Sequence, residues 1–126
     1  MNGNFVLDTN AVIYYLRGEK PWADFINSLP PTQVFVSVIT RMELLAWKSL
    51  TLEGEKQVRS LLATLNIASL SAAIEAEAIS LRRNTHIKLP DAIVAATAVV
   101  FKAVLVTGDK AVAALNWLQL EVVSPD

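Results

Sequence analysis

Leu89-Pro90-Asp91-Ala92-Ile93-Val94-Ala95-Ala96-Thr97-Ala98-Val99-Val100-Phe101-Lys102 runs straight into Ala103-Val104-Leu105-Val106-Thr107-Gly108-Asp109, and the reading of this stretch decides the fold. Pro90 stands near a first helical position, where its fixed φ and missing N–H do no harm. From there to about Lys102 the pattern is apolar on nearly every face, which places the helix in the interior. Val104-Leu105-Val106 is then a short strand, followed by a Thr107-Gly108-Asp109 turn and a short helix. The apolar run from Ala92 to Val106 is too short to cross a bilayer and contains Lys102, so it is read as interior.

Working outward, the same alternation continues. Phe5-Val6-Leu7 is an apolar strand, and Asp8-Thr9-Asn10 is good N-cap chemistry for a helix reaching Leu16 and stopping near Gly18. Pro21 suits the first turn of a second helix, about Trp22 to Leu29, ended by Pro30-Pro31. Val34 to Val38 is a strand rich in β-branched residues. Thr40 opens a helix to about Lys48, and Glu53 to Leu65 repeats Val58, Leu61, Leu62 and Leu65 at helical spacing. Ile67 to Leu70 is a weak strand, Ser71 to Asn84 an amphipathic helix, and Glu121-Val122-Val123 a final strand. Short apolar strands alternating with helices predict a three-layer α/β/α sandwich around a mainly parallel sheet, with residues 1–126 as one domain. No repeat, low-complexity tract or linker divides the chain.

Composition narrows the function. Hydrophobic residues make up 53% of 126 residues and charged residues 18%, so a charge inside an apolar segment asks for a reason. Net charge is −1, from 11 basic and 12 acidic residues, unlike a sequence-tolerant nucleic-acid binder that works through a basic surface. There are no cysteines, which excludes disulfides, thiolate catalysis and cysteine zinc sites, and the lone His86 forms no histidine cluster. The N-terminus lacks a basic run before an apolar stretch, so no signal peptide is expected, and the cytoplasm is the expected compartment.

In parallel α/β sheets, functional groups collect beyond the carboxyl ends of the strands. Asp8 follows the first strand, Glu43 lies one turn into the helix after the second, and Asp109 follows the strand Val104–Val106 by two residues. Asp91 begins the buried helix before that strand and reaches the same rim if the helix packs antiparallel to it. Each has a plain alternative. Asp8 can cap a helix, Thr40 and Glu43 fit the S/T-x-x-E capping box, Asp91 gains from the helix dipole, and Asp109 sits in a turn. Together, four neighbouring carboxylates repel by roughly 3 kcal/mol per pair at about 5 Å and an effective dielectric near 20, so they need cations, raised pKa values or distance. Arg41 and Lys110 are the basic residues within these segments. An all-oxygen donor set without His or Cys favours Mg²⁺ or Mn²⁺ over Zn²⁺. Two such ions would attract a phosphate, activate water and stabilise the leaving oxygen, giving a chain of net charge −1 its local positive potential.

Four segments carry a resemblance: Leu7-Asp8-Thr9-Asn10, Thr40-Arg41-Met42-Glu43-Leu44, Leu89-Pro90-Asp91-Ala92-Ile93-Val94-Ala95-Ala96-Thr97-Ala98 and Val106-Thr107-Gly108-Asp109-Lys110. Their order and spacing resemble PIN domains, and most closely the VapC-type toxins of bacterial type II toxin–antitoxin pairs in the subgroup that includes FitB. The resemblance covers essentially the whole chain, and Leu89–Ala98 is its most specific piece. It implies Mg²⁺- or Mn²⁺-dependent cleavage of RNA, a homodimer, and inhibition by a small VapB-like antitoxin that inserts a C-terminal segment into the groove. It gives Asp8, Glu43, Asp91 and Asp109 the four acidic metal positions, with Asp8 and Asp91 holding the first metal and Glu43 orienting it or the attacking water. Thr9 and Thr107 add hydroxyl contacts, and Asn10 braces the turn. Val112 departs from the family, which often has an aromatic residue three positions after the last acid.

Arg82 and Arg83 are candidates for RNA phosphate or antitoxin carboxylates, against the alternative of a solvated helix face. Lys88, Lys110 and His86 read as surface residues. Trp22, Trp47 and Trp117 are read as core or dimer contacts rather than base-stacking platforms. The competing functions are a haloacid-dehalogenase-type phosphatase, disfavoured because Asn10 occupies the position of its second Asp, and a PIN-like module that binds RNA or protein without cutting. Neither G-x-G-x-x-G nor G-x-x-x-x-G-K-[ST] occurs, which disfavours a nucleotide-binding domain.

Overall fold

The computed structural model describes residues 3–115 and 120–125. Strands β1 (Phe5–Leu7), β2 (Val34–Ser37), β3 (Asn66–Ala68), β4 (Val104–Val106) and β5 (Val122–Val123) form a sheet in the order β3-β2-β1-β4-β5. Every pairing is parallel, with Leu7 opposite Val36 on one side and Val106 on the other. The helices are α1 (Thr9–Leu16), α2 (Lys20–Asn27), α3 (Val38–Leu45), α4 (Leu52–Thr64), α5 (Ala72–Asn84), α6 (Leu89–Phe101) and α7 (Lys110–Ala113). A short 3₁₀ turn, Pro31–Gln33, precedes β2.

Strand alternation sorts the interior into two cores. Phe5 and Leu7 face one side, with Val34, Val36 and Val106, and are covered by Ala11 and Val12 of α1, Trp22 and Ile26 of α2, Leu44 of α3 and Val58 and Leu62 of α4. Val6 and Leu105 face the other, against Ile74 and Ala78 of α5, the small residues of α6 and Val112 of α7. The molecule therefore has helices on both faces of the sheet, the three-layer arrangement expected. In α6, Ala92, Val94, Ala95, Ala96, Thr97 and Ala98 are all buried. Their small volumes let this helix approach the sheet and α5 closely, and the left-handed conformation of Lys102 (φ 53°) ends it so that the chain can turn into β4.

The expected element positions hold within one to three residues, with two informative differences. Helix α3 starts at Val38, not Thr40: Ser37 caps it by accepting from Ile39 N–H at 3.1 Å, so strand β2 ends a residue early and Thr40 is inside the helix. The third strand is Asn66–Ala68 rather than Ile67–Leu70, and Asn66 ties down its start by donating to the carbonyls of Thr32 and Val34. Trp22 is a core residue, 1% exposed and tilted against Tyr14 at 5.1 Å. Trp47 is not: it stands 51% exposed at the edge of an apolar recess of about 200 Å³ between α1 and α4. Trp117 lies outside the described residues.

Candidate active site

The chain order across the sheet creates a switch point. From β1 it proceeds to β2 and β3 on one side, then returns to place β4 on the other. Helix α1 leaves the end of β1 on one face of the sheet, and α7 leaves the end of β4 on the opposite face. The crevice between two such diverging connections is where open α/β sheets place ligands. Here it falls at Asp8 and Thr107, the residues that follow paired Leu7 and Val106.

Asp8 is buried at 8% exposure and performs two jobs. Its Oδ1 caps α1 by accepting from Ala11 N–H at 2.7 Å, as N-cap chemistry foresees. Its Oδ2 accepts from the Thr107 hydroxyl and from Gly108 N–H, the latter at 3.2 Å, which fastens the end of β4 to the end of β1. Burial pushes its carboxyl up from 3.8 to about 6; the bonds from Thr107, Ala11 and Gly108 oppose that rise, and the negative charge of Asp91 adds to it.

Asp91 is in the first turn of α6, and because α6 precedes β4 its N-terminus lies at the same rim. Its carboxyl is raised above the ordinary range by burial, then by the charges of Asp109 and Glu43, with Lys88 pulling it back. The electrostatics thus link all four acids, Asp8 to Asp91 and Asp91 to Asp109 and Glu43. Asp109 caps α7 through Oδ1, accepting from Ala111 and Val112 N–H at 2.8 and 3.1 Å. Glu43 is exposed on α3 and accepts from the Thr9 hydroxyl at 2.6 Å, a residue of the neighbouring α1. Glu43 is not part of a capping box, since Ser37 caps the helix and Glu43 looks across to another element.

Among the described residues the side-chain ion pairs are Arg17–Glu19, Lys20–Asp24 and Arg59–Glu55, all on the surface, and none includes a rim acid. No three His, Asp or Glu side chains among the described residues are gathered into a metal-ligating group. Asp8, Glu43 and Asp109 are instead each engaged locally, with Ala11 and Thr107, with Thr9 and with the α7 cap. The donor set nonetheless fits a hard divalent cation: it is carboxylate and hydroxyl oxygen throughout, in a rim that penalises negative charge.

Of the other candidates, Thr107 reaches Asp8 and Thr9 reaches Glu43, so both hydroxyls serve carboxylates. Arg82 Nη1 donates to the Ile87 carbonyl at 2.8 Å, bracing the loop before α6. Arg82 is exposed, and its remaining guanidinium N–H groups stay available. Arg83, Lys88, Lys110 and His86 are exposed.

Two residues of the site escaped sequence reasoning. Thr40, fully buried, lies 3.1 Å from the Thr9 hydroxyl. Gly108 sits so close to α1 that a Cβ there would stand 2.6 Å from Tyr14 Cε2 and 3.0 Å from Asn10 Cβ. Its place between two polar residues in Thr-Gly-Asp is a signal that an alignment-free reading assigns only to a turn. Tyr14 is packed on Trp22 and has little room to retreat. Gly108→Ala is therefore expected to destabilise the protein by about 1–3 kcal/mol, read as a drop of several degrees in Tm; an unchanged Tm would mean the Tyr14 ring moves freely.

Known proteins share this fold. The PIN domain family matches residues 5–118. No curated protein sequence matches significantly. Among solved structures, a chain of a toxin–antitoxin complex from Klebsiella pneumoniae is 32% identical, with TM-score 0.82 over 98% of each chain. A chain of FitAcB from Neisseria gonorrhoeae is 25% identical, with TM-score 0.77 over 96% of this chain and 97% of that one. A chain of DNA-bound VapBC from Salmonella typhimurium shares the fold at 18% identity, TM-score 0.82, over 99% and 100%. The chain belongs to the PIN domain family.

Proposed function

We propose that the protein is a metal-dependent endoribonuclease, the toxin of a VapBC-type pair, with Asp8, Glu43, Asp91 and Asp109 as its metal-binding carboxylates. The observation that carries this reading is the shared field of the four acids. They come from four separate places in the chain, and Asp8 and Asp91 are both pushed toward the protonated form at one rim. Such a site is unfavourable as a structural device and suited to divalent cations. Mg²⁺ or Mn²⁺ would supply an activated water and charge to stabilise the leaving oxygen of a phosphodiester.

The chain's own residues perform the positioning. Asp8, fixed by Ala11 and Thr107, and Asp91, fixed at the start of a buried helix, form the rigid half of the rim. Glu43, directed by Thr9, and Asp109, directed by the α7 cap, flank it. Exposed Lys88 and Lys110 stand beside Asp91 and Asp109 in sequence, available to the phosphates of a bound strand. The partner is a VapB-like antitoxin, in keeping with the complexes formed by its structural relatives, and the nuclease acts as a homodimer on RNA. Among the described residues no helix is long and apolar enough to cross a membrane.

The purified protein is expected to cut RNA with Mg²⁺ or Mn²⁺ and to stop with EDTA, measured on labelled RNA in a gel assay. Cleavage that persists in EDTA would overturn metal dependence. RNA binding without cleavage under any metal would point instead to a non-catalytic module.

A further inference from the structure

Thr40 poses a problem of hydrogen bonding. It lies inside α3 and is fully buried, and a buried hydroxyl needs a partner. Thr97, buried inside α6, solves this by bonding back along its own helix, donating to the Ile93 carbonyl at 2.8 Å. For Thr40, four residues back is Val36, a strand residue of β2. Its hydroxyl turns instead across to α1 and meets Thr9 Oγ1 at 3.1 Å.

Proton counting gives the direction. A hydroxyl has one proton and an ionised carboxylate only accepts. Thr9, 2.6 Å from Glu43 Oε1, directs its proton there, so the second bond must be donated by Thr40. The series runs from the core to the rim: Thr40 to Thr9 to Glu43. Glu43 is exposed, and a glutamate side chain left to itself samples many rotamers.

We propose that Thr40 is a positioning residue which, through Thr9, holds the Glu43 carboxylate in place and so sets how tightly a divalent cation binds at the rim. This rests on the nuclease reading in taking Glu43 as a metal-binding group. It makes Thr40 part of the site although it touches neither metal nor substrate.

The test is a double-mutant cycle read by Mn²⁺ affinity, measured calorimetrically on the whole purified protein, with the metal-free Tm as a check on folding. Thr40→Val keeps the shape and removes the hydroxyl. It is expected to weaken Mn²⁺ binding about tenfold, the scale seen when support for a metal ligand is lost, with Tm nearly unchanged. Thr40→Ser, which restores the donor, is expected to recover tight binding. In a Glu43→Ala background, Thr40→Val is expected to add nothing, because its route runs through the missing carboxylate. Wild-type affinity in Thr40→Val, or an equal loss with and without Glu43, would overturn the proposal. If Thr40→Val melts early, Thr40→Ala in the same two backgrounds decides by the same criterion. A wild-type protein that binds no Mn²⁺ would sink the nuclease reading and this one with it. Binding that is lost in Asp8→Asn yet intact in Thr40→Val would sink this one alone.

Discussion

Asp8→Asn is expected to lose RNA cleavage by roughly a thousandfold or more while melting, without metal, at or above the wild-type temperature. The two effects have one cause. The buried carboxylate of Asp8 is raised from 3.8 to about 6, a displacement that corresponds to about 3 kcal/mol of penalty when it is ionised above that pH. An amide removes the penalty. Its Oδ1 keeps the cap on Ala11 N–H, and its Nδ2 can donate to Thr107 Oγ1 where Oδ2 accepted before. The Thr107 hydroxyl proton loses its acceptor, and Gly108 N–H keeps only Oδ1 at 3.4 Å, which together return about 1–3 kcal/mol of the gain. The net is a stability that stays level or rises by a few degrees in Tm, measured calorimetrically, in a protein that no longer cuts. Asp91→Asn is expected to behave similarly in cleavage, with a smaller change in Tm because it is only half-buried. Wild-type turnover in either variant would remove that residue from the site. A collapse of Tm in Asp8→Asn would mean that Asp8 is there for its structural bonds.

Much of this arrangement was legible in the sequence because it depends on local pattern. The apolar helix Leu89–Phe101 feeding Val104–Val106 specified a parallel, doubly covered sheet, and Asp8 was marked by its position directly after an apolar strand. What stayed hidden depends on contacts between distant residues. Thr40 and Glu43 read as a capping box because the spacing fits, yet Ser37 supplies the cap. The bond that matters joins Glu43 to Thr9, 34 positions away, and no local pattern encodes it. Arg82 read as a helix-face cation, and only the folded chain shows its Nη1 donating to the loop carbonyl of Ile87. Trp22 and Trp47 looked alike among apolar neighbours, but only Trp22 falls on the face that α2 turns toward the sheet. The sheet order, which brings Asp8 beside Thr107 across 99 positions, is likewise a property of the crossover rather than of any segment.

Millimolar Mg²⁺ or Mn²⁺ is expected to raise Tm by roughly 10 °C at pH 8, for an ion present at about a hundred times its dissociation constant, and by far less at pH 5. Below pH 3.8, Asp8 is protonated in both folded and unfolded chains and contributes nothing. Between 3.8 and about 6 the folded protein keeps a proton that the unfolded chain has released, so stability falls as pH rises. Above about 6 the full penalty is in force, and Asp91, raised by burial and by Asp109 and Glu43, adds to it in the same direction. A divalent cation relieves the crowding only where the carboxylates are ionised, and at pH 5 it must first displace protons. The metal-induced shift should therefore grow through pH 5–7, the window around the raised Asp8 carboxyl. It should also shrink sharply in Asp8→Asn at every pH, because the amide offers neither the charge nor the titration. Differential scanning calorimetry with and without metal across this range checks both. A shift as large at pH 5 as at pH 8, or one that survives intact in Asp8→Asn, would place the bound ion somewhere other than between these acids.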